Sequence, residues 1–211
     1  MPYTASRGPG RPPAAKAAET RERIVRAARD VFSELGYDAA TFQAIAVRAD
    51  LTRPAINHYF SSKRLLWTEV VQQTNSGIVS AGIARARDHT RLVDRLAAFL
   101  TTVTKADADN RSAAAFLVTS VLETRRHPEL IDDEHDPLKN SRKFVRWAVE
   151  DAIARGELST DTDVSQLVEM LVAVLWGMGF YAGFIGDKDE VGPVIHKLEL
   201  LLAHKLWNLS E

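Results

Sequence analysis

The chain reads as an all-α protein of about nine helices, an N-terminal three-helix helix-turn-helix domain followed by a larger C-terminal helical domain. Three observations predict this. Beyond residue 18, apolar residues recur at the three- and four-residue spacing of an amphipathic helix. No stretch shows the alternation, bounded by turn residues, that marks a strand, and no repeat of fixed period is present. Between residues 41 and 63, two short helical patterns are joined by a tight polar turn.

The elements follow in order. Residues 1–18 are rich in Pro, Gly and Ala without hydrophobic periodicity, and read as a disordered basic arm. Ile24, Ala28, Val31, Phe32 and Leu35 lie at helical spacing, which predicts a helix over 20–35 that stops at Gly36 in a left-handed conformation. Thr41 can cap a second helix through Ala49, with Phe42, Ile45, Ala46 and Ala49 inward. Asp50-Leu51-Thr52 makes the turn, and Thr52 caps a third helix from Arg53, with Pro54 allowed in its first turn and Ile56 and Phe60 buried. A fourth runs from Lys63 to Arg87, and five more are predicted over 91–107, 112–126, 137–155, 163–185 and 191–208, separated by polar, Pro- or Gly-bearing breaks. The expected organisation is an arm at 1–18, a helix-turn-helix domain at 19–66 and a second domain at 67–211.

Composition narrows the function. The 211 residues are 45% hydrophobic and 26% charged, enough apolar material for a real core. There is no cysteine, which excludes disulfides, Cys-based zinc sites and thiol catalysis and suits a reducing cytoplasm. The basic N-terminus has no apolar run behind it and does not read as a secretory signal. The stretch Leu167 to Ile185 comes closest to a membrane span, but it carries Glu169 and three glycines and reads as a buried core helix, so no membrane partner is expected. Charge is divided: residues 1–64 hold eleven Lys/Arg against six Asp/Glu, residues 65–211 sixteen against twenty-two. That split suits an N-terminal part that meets a polyanion.

The segment Thr41 to Lys63 carries the chemistry. A second short helix packed on a first through Ala46 and Ala49 can enter a major groove with Arg53, Pro54, Ala55, Asn57, His58 and Tyr59 outward. Arg can donate two bonds to guanine, Asn can pair with adenine, and Pro or Ala can pack on a thymine methyl. Thr41, Tyr59 and Lys63 can bond phosphates, which set register. Each also has a bland alternative: Arg53 a solvated charge, Asn57 a local cap, His58 mere surface, Tyr59 core, Lys63 a helix-start charge. In the arm, Arg7-Gly8-Pro9-Gly10-Arg11-Pro12-Pro13 can lay Arg7 and Arg11 into a narrow minor groove, or be an inert tail.

The residues from about Thr20 to Leu66 resemble the DNA-binding domain of the tetracycline-repressor (TetR) family. The matching pieces are Thr20-Arg21, Phe32, Leu35-Gly36-Tyr37, Thr41, Ile45-Ala46, Ala49, Ile56, Tyr59-Phe60, Ser62-Lys63 and Leu65-Leu66. The resemblance implies DNA contact by Thr41 and Gln43 on the second helix, by Arg53, Pro54, Ala55, Asn57, His58 and Tyr59 on the third, and by Lys63. Asp50 stands where the family usually has glycine; Asp tolerates the left-handed region, so the turn should survive. Asn57 and Tyr59 replace a common tyrosine and histidine, which leaves the operator sequence open.

The second domain has no motif of its own. It lacks a nucleophile elbow, a phosphate loop, a zincin helix and a dinucleotide fingerprint, so no enzyme and no cofactor or metal is expected. The loop His127 to Asp136 reads as a solvated acidic connection. Phe99, Phe116, Phe144, Trp147, Trp176, Phe180 and Tyr181 can line an effector pocket, with Glu123 or Tyr181 orienting a ligand, or can be ordinary core. Gly179 and Gly183 permit close helix approach at a pocket or a dimer seam. Apolar stripes on the last two helices, with Leu167, Leu171, Val174, Leu198 and Leu202 as candidates, can pair two copies, as the resemblance implies, or bury within one subunit. The expectation is a cytoplasmic, homodimeric, sequence-specific DNA-binding regulator. It reads as a repressor of a palindromic operator on double-stranded DNA, released by a small, largely apolar effector. The alternatives are an architectural DNA binder without effector, or an all-helical enzyme or scaffold.

Overall fold

The computed structural model describes residues 13–105 and 112–206. Every regular element among them is helical, and the α-helices number nine when the π-turns are counted with the helices they continue. The first, α1, is Pro13–Ala39. It begins inside the segment expected to be disordered, because Ala14, Ala15, Ala17 and Ala18 are strong helix formers and proline suits a first turn. Its regular path breaks at Gly36, whose φ of 75° is positive as expected but whose ψ of 177° is extended rather than αL. A side chain there would also meet Glu123, since a Cβ would lie 2.7 Å from its Oε1.

Three hydroxyl caps then set the helix-turn-helix. Thr41 Oγ1 accepts from the Ala44 amide at 3.1 Å and starts α2 (Phe42–Arg48). Thr52 Oγ1 accepts from Ala55 at 3.3 Å and starts α3 (Arg53–Tyr59). Ser62 Oγ accepts from Leu65 at 3.2 Å and starts α4. Asp50 takes the left-handed turn at φ 51°. Helix α4 runs unbroken through Lys63–Thr74, a π-turn at Asn75–Val79, and Ser80–Arg87.

The rest are α5 (Leu92–Lys105), α6 (Ser112–Arg126), α7 (Pro137–Ala154), α8 (Val164–Phe180, continued as a π-turn over Tyr181–Ile185) and α9 (Lys188–Leu202). A capping box between Asp187 and Glu190 starts α9 earlier than its apolar stripe implies. It ends at Leu202, short of the expected span to residue 208, and His204 has a positive φ.

Two apolar cores share α6. The N-terminal core gathers Ile24, Phe32, Ile45, Ile56 and Leu66, and extends past residue 66 to Trp67, Val70 and Val71. It also takes in Phe116 and Leu130 from the second half. Trp67 lies at its centre, 5.0 Å from the Phe32 ring, 5.4 Å from Tyr37 and 5.2 Å from Phe116. The second core holds Leu96, Phe99, Phe144, Val149, Val168 and Leu171. Helix α6 serves both, with Phe116 in the first and Ala113, Ala114 and Leu117 in the second. Polar bonds join the halves as well: Arg29 Nε donates to Ser112 Oγ at 3.1 Å, and Ser33 Oγ to the Ser112 carbonyl at 3.2 Å.

Candidate nucleic-acid interface and ligand clefts

The outer end of the N-terminal half carries the DNA-facing candidates together. Thr41, Gln43, Arg53, Pro54, Asn57 and His58 are exposed, and Ala55 and Tyr59 partly so. Tyr59 packs against the N-terminal core with its ring edge-on to His58 at 5.4 Å. Arg53 forms no ion pair with any described residue. Arg48, by contrast, is spent on structure. It donates to both oxygens of Glu34 at 2.8 and 2.6 Å, which ties α2 to α1. Those bonds outweigh the opposing effect of partial burial and hold the Glu34 carboxyl below its ordinary pKa. Arg7 and Arg11 lie outside the described residues.

Lys63 has a different position from the one its charge suggested. Its ammonium donates to the carbonyls of Tyr37, Asp38 and Ala40 at 2.7, 3.1 and 3.1 Å, and sits 4.5 Å from the centre of the Tyr37 ring. All three of its donors are therefore used to close the end of α1. The neighbouring Arg64 is exposed and has no ion pair among the described residues; a second cation at the start of α4 was the signal for it.

The pocket candidates divide. Phe99 and Trp176 line an apolar slot between α4, α5, α6 and α8, closed by Leu117 and Leu175, of only about 30 Å³, the room of a single water. Phe144 and Trp147 line a separate cleft of about 550 Å³ between α4 and α7. Phe99 and Phe144 stack at 4.8 Å and form the wall between the two. Phe116, Glu123, Phe180 and Tyr181 line neither. Phe116 fills the N-terminal core. Glu123 is buried at the junction beside Gly36, 3.5 Å from Arg126 and 3.7 Å from His127. Phe180 is 47% exposed and packs on Phe184, while the Tyr181 hydroxyl donates to Glu190 at 3.4 Å.

Sequence reasoning missed Asn75. It is buried, lines the α4–α7 cleft, and its side-chain oxygen has no hydrogen-bond partner. Its signal was an amide on the apolar phase set by Trp67, Val71 and Ile78.

The dimer candidates lie mostly inward. Leu171 is buried, and Leu167, Leu198 and Leu202 pack on the second core; Val174 is half-buried. The outer face of the same helix instead exposes Met170, Ala173, Gly177, Phe180 and Phe184 at helical spacing. The helix over Val164–Ile185 is buried along one face only: Val168, Leu171, Val172, Leu175 and Ala182 lie in the second core, and 33% of its most apolar window is buried in the subunit. Beyond Glu169 it carries no charged residue, so periodicity could not assign an inside there. Gly183 approaches α6 of its own chain, where a Cβ would lie 2.7 Å from the Ala115 nitrogen, and Gly179 lines the slot.

Comparison with known proteins agrees with this architecture. Residues 24–70 match the family described as bacterial regulatory proteins, tetR family, and residues 86–182 match the tetracyclin repressor-like C-terminal domain. The HTH-type transcriptional regulator UidR of Escherichia coli K12 is 24% identical over 163 residues, covering 77% of this chain and 81% of UidR. The HTH-type transcriptional activator FasR of Mycolicibacterium smegmatis is 38% identical over 68 residues, 32% of this chain and 31% of FasR. A TetR transcriptional regulator from Chloroflexus aurantiacus shares the fold with a TM-score of 0.71 at 22% identity, over 90% of this chain and 98% of that one. With both of its halves matched and its helix-turn-helix intact, the chain belongs to the TetR family of DNA-binding transcriptional regulators.

Proposed function

We propose that the protein is a homodimeric cytoplasmic repressor that grips a palindromic operator through α3 and lets go when a small molecule occupies the second half. The observation that carries this is the outer face of α3. Arg53, Asn57 and His58 stand exposed on a helix whose first turn is locked by Thr52 and whose inner side is anchored by buried Ile56. Arg53 and Asn57 supply base-edge donors, Pro54 and Ala55 a surface for a thymine methyl, and Thr41, Gln43 and Tyr59 bonds to the backbone. Arg64 is free to meet phosphate at once, whereas Lys63 would first have to leave a carbonyl. A single short helix reads only a few base pairs, so two copies on successive grooves are needed for a useful site. The exposed apolar face of α8, continued by Leu201 on α9, is the surface for that pairing.

Helix α4 supports the response to ligand. It caps α1 at Lys63 and lines the α4–α7 cleft from Asn75 to Arg87, roughly 18 to 36 Å away at 1.5 Å per residue. A ligand that favours one setting of α4 over another shifts the spacing of the two recognition helices, and only that difference in affinity does work.

Selection from random double-stranded DNA tests the proposal. The wild-type chain should enrich a two-fold-symmetric site. Arg53→Ala should cost about 1–3 kcal/mol on it and relax preference at one base pair in each half. Binding of all duplexes alike would favour an architectural role instead, and an unchanged preference in Arg53→Ala would remove Arg53 from the groove.

A further inference from the structure

We propose that the α4–α7 cleft takes a hydroxylated organic anion with an apolar body, and that Asn75 reads the hydroxyl. This rests on the reading of the second half as an effector domain, and names the ligand chemistry of that site.

Asn75 opens the π-turn at Asn75–Val79, where the helix widens by one residue. Its side chain is only 6% exposed, lines the cleft, and has an oxygen with no hydrogen-bond partner. A buried amide without its partner is costly, and an apolar residue of the same shape would remove the cost. Turning the amide over would exchange an orphaned acceptor for an orphaned donor; the oxygen is closed to solvent, so the amide must rotate toward the cleft to gain a partner, and a ligand hydroxyl, which both donates and accepts, answers it in either orientation. π-turns of this kind recur at functional sites.

The charge at the mouth selects the second group. Arg87 and Lys143 are exposed, line the cleft and form no ion pair with a described residue, against one lining carboxylate, Glu134. The lining histidine is occupied, since His135 Nδ1 lies 2.9 Å from Asp132. The body is set by Phe144 and Trp147, with Arg87 5.6 Å from the Trp147 ring centre. A cleft of about 550 Å³ admits a molecule of metabolite size. The neighbouring slot of about 30 Å³ does not. The lining of this cleft thus points to an amphiphilic effector, where the aromatic supply alone points to a largely apolar one.

The test uses three matched probes on the full-length protein. They are 3-phenyllactate, 3-phenylpropanoate, which lacks the hydroxyl, and 3-phenylpropane-1,2-diol, which lacks the charge. Calorimetry should find 3-phenyllactate bound at least tenfold more tightly than either analogue. In Asn75→Leu the acid with and without the hydroxyl should bind alike. In Arg87→Gln/Lys143→Gln the acid and the diol should bind alike. Without any ligand, Asn75→Leu should raise Tm by a few degrees, because it removes an unsatisfied buried group. The proposal is overturned if the three probes bind equally, if 3-phenyllactate fails to bind at 10 mM, if the preferences survive in the variants, or if Asn75→Leu lowers Tm. Wild-type DNA selection separates the failures. If no sequence is enriched, the regulator reading fails; if a site is enriched but the ligand pattern is absent, this inference alone fails.

Discussion

Removing the rings from the outer face of α8 should separate the proposed dimer while leaving the subunit folded. Phe180 is 47% exposed and Phe184 45%, on a face that also shows Met170 at 48% and Ile185 at 61%. A phenylalanine presents about 200 Å², so each ring offers ~90 Å² to a partner. At ~25 cal/mol per Å² that is ~2 kcal/mol for each ring, and two-fold symmetry counts each twice, giving ~8 kcal/mol as the ceiling. If half of this area is covered in the dimer, Phe180→Ser/Phe184→Ser costs ~4 kcal/mol of association, roughly a thousandfold in Kd. Leu171→Ala is the contrast. Leu171 is 4% exposed within its own subunit, so that change should cost about 2–5 kcal/mol of folding free energy and leave association unaltered. Sedimentation equilibrium and urea unfolding read the two effects separately. A double serine variant that stays dimeric at nanomolar concentration, or a Leu171→Ala variant that loses its partner before its fold, would refute the assignment of outer and inner faces.

Two further substitutions test the packing of α8 on α6 and the closure of the end of α1. Gly183→Ala puts a methyl group 2.7 Å from the Ala115 nitrogen and 2.8 Å from its Cα, contacts with backbone that cannot turn aside, and should cost about 1–3 kcal/mol in urea unfolding. Lys63→Met keeps the stem over Tyr37 but removes the ammonium from three carbonyls, and should cost about 2 kcal/mol in the same assay.

The helix-turn-helix was legible almost to the residue because its boundaries are written in local chemistry. Thr41, Thr52 and Ser62 each cap a helix through an amide three residues on, and Asp50 accepts the turn that glycine would otherwise make. What the sequence withheld is long-range. Helix α6 is buried on both sides, so nothing in its pattern says that Phe116 turns to the N-terminal core while Leu117 turns to the other. Apolar composition likewise could not tell that Leu171 faces in and Phe180 out. Charge alone suits Lys63 to a phosphate, while its place beside the end of α1 fixes the three carbonyl bonds it makes. The early start of α1 is masked in the sequence because Pro and Gly in the first dozen residues hide the helix-forming alanines after them.

The placement of Phe116 bears on how a ligand can reach the DNA. A unit of residues 19–66 lies in the size range where a single core buries too little surface to be robust. Here its central rings are completed from outside, by Trp67 on α4 and Phe116 on α6, and Gly36 is seated directly against Glu123. The two helices that carry α2 and α3, α1 and α4, therefore rest directly on α6. Interiors packed to crystal-like density do not yield gradually; they switch between discrete arrangements. The other side of α6 borders the apolar slot through Ala114 and Leu117, and α4 borders the slot and the cleft through Val79. A ligand that moves the Phe99–Phe144 wall thus meets, within one layer of side chains, both helices on which the DNA-reading unit is built.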